Sequence, residues 1–248
     1  MFKFLIMLFL TINLYSSSCS VTIFAASDLQ FALKEVKKEF LKSHQDCHID
    51  FIFGSSGKGR VQIKNHAPYD LYFSADLNYV RMLYKSGDIV TKPKLYAIGR
   101  LVIWSKNRDF ISKDGFKNFQ RNWVKKITIA NPSHAPYGKR AKEALESLEL
   151  YDKLKSKIVF GENISQSANY ISINAVDIGI VALSLVLAPT NKNSKYYLID
   201  DKLHKPLLQG YGITKYGSKN SLAKEFYRYI DTQKAKDILK RYGFRVDR

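Results

Sequence analysis

Short apolar runs that read as strands alternate, along nearly the whole chain, with stretches whose apolar residues recur at helical spacing. Residues 21–25 (VTIFA) form the first such run, and Leu29, Ala32, Leu33, Val36 and Phe40 then fall three or four apart. Further strand-like runs lie at 47–53, 71–74, 97–104, 126–130, 157–160, 178–183 and 209–214. Helical patterns lie at 60–64, 79–85, 139–148, onward from 165, and at 222–230 and 235–242. This alternation predicts an α/β fold with largely parallel sheets, because each parallel pairing needs a crossover that a helix supplies. The chain has 248 residues, 46% of them hydrophobic, which suits one large domain or two modest lobes and excludes wholesale disorder.

The N-terminus has a different grammar. Lys3 precedes an apolar run over residues 4–14 (FLIMLFLTINL), and small residues follow at 16–20 (SSSCS). That is the pattern of a secretory signal peptide, and the run is short for a membrane span. Residues 1–20 are therefore read as a leader, cut after Ser18 or Ser20, and the mature chain is expected in the periplasm. Cys19 sits where a lipoprotein cysteine sits, but residues 16–18 lack the usual aliphatic residue, so a lipid anchor is the minor alternative. Only two cysteines are present, which excludes a disulfide scaffold and a thiolate zinc site. If Cys19 is removed, Cys47 is a lone strand residue; if it is retained, a Cys19–Cys47 disulfide can form outside the cytoplasm.

Forty Lys+Arg against 22 Asp+Glu give a net charge of +18. The leader takes only Lys3 away. Such a charge permits nucleic acid, an anionic membrane or a small acidic ligand as partner. The basic residues are scattered, with no block, basic helix face or recognition motif, so nucleic acid is not expected as a partner. Gly54, Gly59, Arg60 and Val61 miss a phosphate-binding P-loop, because Arg60 and Val61 stand where Lys and Ser/Thr are needed. His44, His48, His66, His134 and His204 lack metal-ligand spacing and read as surface or capping residues. No nucleophile elbow, paired carboxylates or Ser–His–Asp order stands out, so neither an enzyme nor a cofactor is expected.

Four strand-to-helix turns share one composition. They are residues 25–29 (AASDL), 54–60 (GSSGKGR), 131–138 (NPSHAPYG) and 161–166 (GENISQ). Ser27 and Gln30 have the spacing of a capping box. In parallel α/β sheets these turns gather at the carboxyl ends of the strands, where ligands bind. Helix N-termini carry about half a positive charge each and present unpaired N–H groups, so several aimed at one point hold a small dianion. Taken singly, each turn reads more simply as ordinary helix capping.

Taken together, these stretches resemble the periplasmic molybdate-binding proteins of ABC importers, a branch of the two-lobed solute-binding proteins. The resemblance rests on residues 24–29 (FAASDL), 53–57 (FGSSG), 67–71 (APYDL), 73–76 (FSAD), 97–101 (AIGRL), 130–132 (ANP), 135–138 (APYG), 178–181 (IGIV) and 240–244 (KRYGF). It implies a type II periplasmic-binding-protein fold, each lobe a mixed, mostly parallel sheet flanked by helices. Lobe I then comprises 21–98 plus 208–248, and lobe II comprises 99–207, with strands 97–104 and 209–214 as crossovers. The implied function is capture of molybdate or tungstate by a monomer that delivers it to an inner-membrane ABC permease with its ATPase. Ser27 and Ser56 are the implied donors from lobe I, and the main-chain N–H groups of Tyr137 and Ile164 those from lobe II. Molybdenum or tungsten enters only as the centre of the oxyanion.

Two positions depart from the family. Asp28 stands where many members have Ser or Asn, and a carboxylate beside a dianion is repulsive. Three arrangements avoid this: Asp28 points away, offers only its N–H, or is protonated. Ala182 stands where some members place a ligand-donating Tyr. The AASDL and GSSG stretches mark a sub-branch in which Ser55, or a lobe II group other than residue 182, compensates. Asp28 also motivates the alternative that the same scaffold binds another small oxyanion or an organic anion.

Overall fold

A computed structural model describes residues 19–191 and 193–246. The expected leader falls outside these, except for Cys19 and Ser20. The chain opens with β1 (Ser20–Ala26), whose end turns through a 3-10 segment, Ser27–Leu29, into α1 (Gln30–Phe40). It continues through β2 (His48–Gly54), α2 (Ser56–Lys64), β3 (Leu71–Ser74), α3 (Leu77–Lys85) and β4 (Lys94–Gly99). Next come β5 (Leu101–Trp104), β6 (Ile127–Ala130), α4 (Pro136–Glu146), α5 (Tyr151–Leu154), β7 (Ile158–Gly161), α6 (Ile164–Ser172), β8 (Ile178–Ala182), α7 (Leu183–Val186) and β9 (Tyr196–Leu198). The chain then returns through β10 (Leu207–Ile213) to α8 (Ser221–Tyr229) and α9 (Gln233–Arg241).

The strands form two five-stranded sheets, β2-β1-β3-β10-β4 and β7-β6-β8-β5-β9. Each follows one plan. A central strand, β1 or β6, has parallel neighbours on both sides, and two antiparallel pairings complete the sheet. Half of the pairings are thus parallel, fewer than the mostly parallel sheets the alternation implies. The antiparallel half comes from β5 and β10, the strands that follow the passages between sheets. The expected single strand over 97–104 is two: Arg100 separates β4 in the first sheet from β5 in the second. β10 lies wholly in the first sheet, beside β4.

Each sheet carries its own apolar core. Val36, Phe40, Phe73, Tyr211 and Phe226 belong to the first, and Trp104, Ile129, Leu145 and Ile180 to the second. β3, β5, β6 and β8 are buried along their whole lengths, which is why they read as continuous apolar runs rather than alternating ones. Cys19 and Cys47 form a disulfide that staples the starts of the parallel neighbours β1 and β2. Closing a 28-residue separation stabilises the fold by about 3–4 kcal/mol in the chain-entropy account. Among the described residues, no helix is long and apolar enough to cross a membrane.

Candidate functional site

β1 and β2 in lobe I, the body built on the first sheet, end beside each other, as do β6 and β7 in lobe II. The turns leaving these four strands are the four singled out by composition, and they meet between the sheets. Ser27, Asp28, Ser55, Ser56, Tyr137 and Ile164 all line one cavity of about 180 Å³. Ala26, Ala75, Ala135 and Pro136 supply apolar wall between them. Among the described residues, no Lys, Arg or His lines it, and Asp28 is its one carboxylate. The space open to a water centre is only about 10 Å³, room for about one water, so the lobes are shut tightly over the convergent donors. A larger groove of about 680 Å³ lies alongside, between Gln30, Phe53, Asn169 and Lys106. It is open to solvent and lined by residues of several elements, Lys106 among them, whereas Ser55, Ser56, Tyr137 and Ile164 line only the small cavity.

The donors differ in kind. Ser56 opens α2, and its hydroxyl accepts a hydrogen bond from the Ala75 N–H at 2.9 Å. That contact orients the oxygen and leaves its hydrogen without a partner among the described residues. Pro136 opens α4 and has no N–H, so Tyr137 provides the first N–H of that helix. Ala135, its N-cap, makes no side-chain cap. Ile164 opens α6, whose N-cap Asn163 accepts from the Gln166 N–H and leaves the Ile164 N–H uncapped. The helix starts therefore direct unpaired N–H groups and partial positive charge at the cavity.

Ser27 does not cap its own helix. Its hydroxyl donates to Asn163 Oδ1 at 3.1 Å and accepts from the Ser165 N–H at 3.3 Å, both in lobe II. The capping-box spacing with Gln30 is thus used otherwise, and Gln30 Oε1 accepts from the Ser165 hydroxyl at 3.0 Å. The Ser55 hydroxyl lies 2.9 Å from His134 Nδ1, and the Gly57 N–H donates to the His134 carbonyl at 2.9 Å. A Cβ at Gly57 would meet that carbonyl oxygen at 2.6 Å, so glycine is needed for this approach. His134 is accordingly neither a surface nor a capping residue; it bridges the lobes, with Glu162 3.6 Å from its other ring nitrogen. Glu162 also pairs with Lys58. The two lobes are closed on each other.

Asp28 is 1% exposed. Its Oδ2 accepts from Gln209 Nε2 at 2.8 Å, and the same amide donates to the Tyr137 hydroxyl at 2.9 Å. Tyr96 donates to Gln209 Oε1 from β4. A Cβ at Gly99 would lie 2.2 Å from the Tyr137 hydroxyl, so the passage between lobes is bare where this network crosses it. Burial pushes the Asp28 carboxyl from 3.8 up to about 6, although hydrogen bonds from Gln209 and Tyr137 pull it down. Burial likewise holds the Tyr96 and Tyr137 phenols well above their ordinary value. Asp28 Oδ1 is buried with no partner. Ala182 is fully buried at the end of β8 and does not line the cavity. Two residues on, the Ser184 hydroxyl donates to the Asp28 carbonyl at 2.8 Å.

Sequence reasoning missed Asn163, His134 and Gln209 as parts of the site. Asn163 carried a signal, because it stands three residues before Gln166 in a turn already singled out. Gln209 carried only a weak one, as a polar residue opening a strand-like run.

The model of the family described as bacterial extracellular solute-binding protein matches residues 21–245. An ABC transporter substrate-binding lipoprotein of Bacillus subtilis, YvgL, is 33% identical over 92% of this chain and 87% of its own length. The molybdate-binding protein ModA of Azotobacter vinelandii is 29% identical over 92% of this chain and 91% of its own. The solved periplasmic molybdate-binding protein of that organism superposes with a TM-score of 0.86 at 29% identity, covering 92% of this chain and all of that one.

Proposed function

The chain belongs to the bacterial extracellular solute-binding proteins, and from that premise we propose that it captures molybdate between its two lobes and delivers it to an ABC importer. One observation carries this reading. Helix starts from both lobes and serine hydroxyls converge on one small cavity that, among the described residues, no cationic side chain lines. A tetrahedral dianion suits such a place, because many neutral donors spread its charge without a fixed counter-ion. Ser56, Tyr137 and Ile164 hold the oxyanion by hydroxyl and main-chain N–H. Ser27 spends its single hydroxyl hydrogen on Asn163 here and would turn it to the oxyanion on binding, while the Ser55 hydroxyl is shared with His134.

Tungstate has the same shape and charge and is the second ligand of the proposal. Family members bind and hand over solutes, so no reaction is assigned. The chain acts outside the cytoplasm, in the periplasm on this reading. Lobe I comprises 21–98 plus 208–248 and lobe II 99–207, and the protein is a monomer serving a permease with its ATPase. Leader cleavage after Ser18 keeps Cys19 in the mature chain for its disulfide with Cys47. A sulfur in that bond cannot also carry a lipid.

Calorimetry of the mature protein with molybdate, tungstate, sulfate and phosphate tests the proposal. Tight binding of molybdate with weak or absent binding of sulfate and phosphate is the expected result. No heat and no thermal stabilisation with molybdate or tungstate would overturn it.

A further inference from the structure

We propose that Asp28 takes up one proton from solvent as the oxyanion enters, and then donates that hydrogen as a neutral carboxylic acid, so that capture is coupled to protonation. The inference rests on the oxyanion reading above. Asp28 is one of the residues lining the cavity, and it is almost wholly excluded from water. Its Oδ2 is already engaged by Gln209, whereas Oδ1 is buried and has no partner. An ionised carboxylate buried beside a bound dianion is repelled by it, and Gln209 and Tyr137 offset only part of that cost. Protonation turns Oδ1 into a donor, the group the ligand needs.

The surroundings leave protonation as the way to neutralise this charge. The titratable groups facing Asp28 are the phenols of Tyr137 on α4 and Tyr96 on β4, both neutral. Gln209 on β10 is uncharged, and α7 contributes the Ser184 hydroxyl. At the rim, His134 is engaged with Ser55 and Glu162, and Lys58 pairs with Glu162. Among the described residues, no cation acts on the carboxylate. With the ligand absent the group titrates at about 6, and a bound dianion pushes it higher. The proton comes from water or buffer, Asp28 passes from carboxylate to acid, and no bond to the metal centre forms.

Linkage sets the sign. Above the ligand-free value near 6, each further pH unit lowers affinity about tenfold, until the bound-state value is reached. Titration calorimetry with molybdate from about pH 6 to about pH 8.5, in two buffers of different ionisation heat, counts the protons directly. The expected result is close to one proton taken up per molybdate at the alkaline end. Asp28→Asn, which keeps an acceptor for Gln209 and offers a fixed N–H, should lose the pH slope and bind at least tenfold more tightly at the alkaline end.

Molybdate binding with no proton uptake and no pH slope overturns the coupling while leaving the oxyanion function intact. Binding of hydrogen phosphate in preference to molybdate also overturns it, since an ionised Asp28 would then be accepting the ligand's own hydrogen. Absence of molybdate binding at every pH overturns both. If Asp28→Asn fails to fold, the two-buffer experiment on the unsubstituted protein decides alone.

Discussion

The two lobes face the same cavity with different chemistry. Lobe I offers side chains: the hydroxyls of Ser27, Ser55 and Ser56 and the carboxyl of Asp28. Lobe II offers main chain: the first free N–H of α4 at Tyr137 and that of α6 at Ile164. The side chain of Tyr137 is spent elsewhere, on the network with Gln209 that ties the lobes together. A hydroxyl site is destroyed by one conservative change, whereas a main-chain site tolerates nearly any side chain and fails only when the N–H itself is lost. The lobes also differ covalently, since the disulfide lies in lobe I alone among the described residues.

The covalent difference has the largest expected effect. Cys47→Ser should cost about 3–4 kcal/mol and lower Tm by roughly 10 °C at about 2–4 °C per kcal/mol. Lobe I should melt first on heating, while the folded variant at room temperature still binds molybdate, as calorimetric scans and titrations with and without ligand can show. Equal loss in both lobes would mean that the staple supports the whole molecule.

Asp28 comes next. Its native value near 6 exceeds the unfolded 3.8, so the folded state binds the proton more tightly. Its contribution is therefore fully present below about pH 4 and is lost as pH rises through about 6, a swing of about 3 kcal/mol. Glu39 has the opposite sign, being lowered from 4.5 to about 2 by Lys234 and Lys42, but it acts below that window. Asp28→Asn should flatten the stability profile between pH 4 and 6 in ligand-free urea melts and raise stability at neutral pH.

The main-chain site can be broken selectively with Ile164→Pro. Proline is tolerated at a first helical position, and Asn163 before it is already extended at φ −147° and ψ 174°. The change removes one N–H and should weaken molybdate by about 2–3 kcal/mol, a hydrogen bond to a charged group, with some further loss of packing. Ile164→Val keeps the N–H and should stay within about 0.5 kcal/mol in affinity. Equal effects of the two would refute the main-chain role. In lobe I, Ser56→Ala should cost about 1.5–2 kcal/mol of affinity, and Ser56→Thr should recover part of it if the hydroxyl is the donor.

The smallest effect is expected at the rim. Glu162→Gln removes the exposed ion pair with Lys58 and the charge beside His134. Affinity should change by no more than about 1 kcal/mol, and any change should fade in salt. A larger loss would mean that closure, rather than the donors, dominates binding.

The contrast between lobes also explains how far the sequence could be read. The alternating strands and helices, the four turns and the serines of lobe I were legible, because hydroxyls, glycines and apolar periods leave marks in residue type. β3 matched its expected span of 71–74. The division at Arg100 was not legible, since an unbroken apolar run can pass from one sheet to another without a change in composition. The short β9, α5 and α7 were missed for lack of a full period. Tyr137 and Ile164 were reached through resemblance alone, because a donating main-chain N–H puts no constraint on its own side chain.

Local composition determined by itself that the chain is α/β, that its strands end in donor-rich turns, and that no cationic or catalytic motif accompanies them. Tertiary structure alone decided that those turns meet, that Ser27 and Ser55 reach across to the other lobe, and that Asp28 lies sealed against Gln209 with one oxygen unpartnered. The reason is range. Strand and helix periods are set by neighbours a few residues apart, whereas Asp28 and Gln209 are 181 residues apart in the chain. Only the folded packing of both sheets brings them within a hydrogen bond and removes the water that would otherwise have kept that carboxyl ordinary.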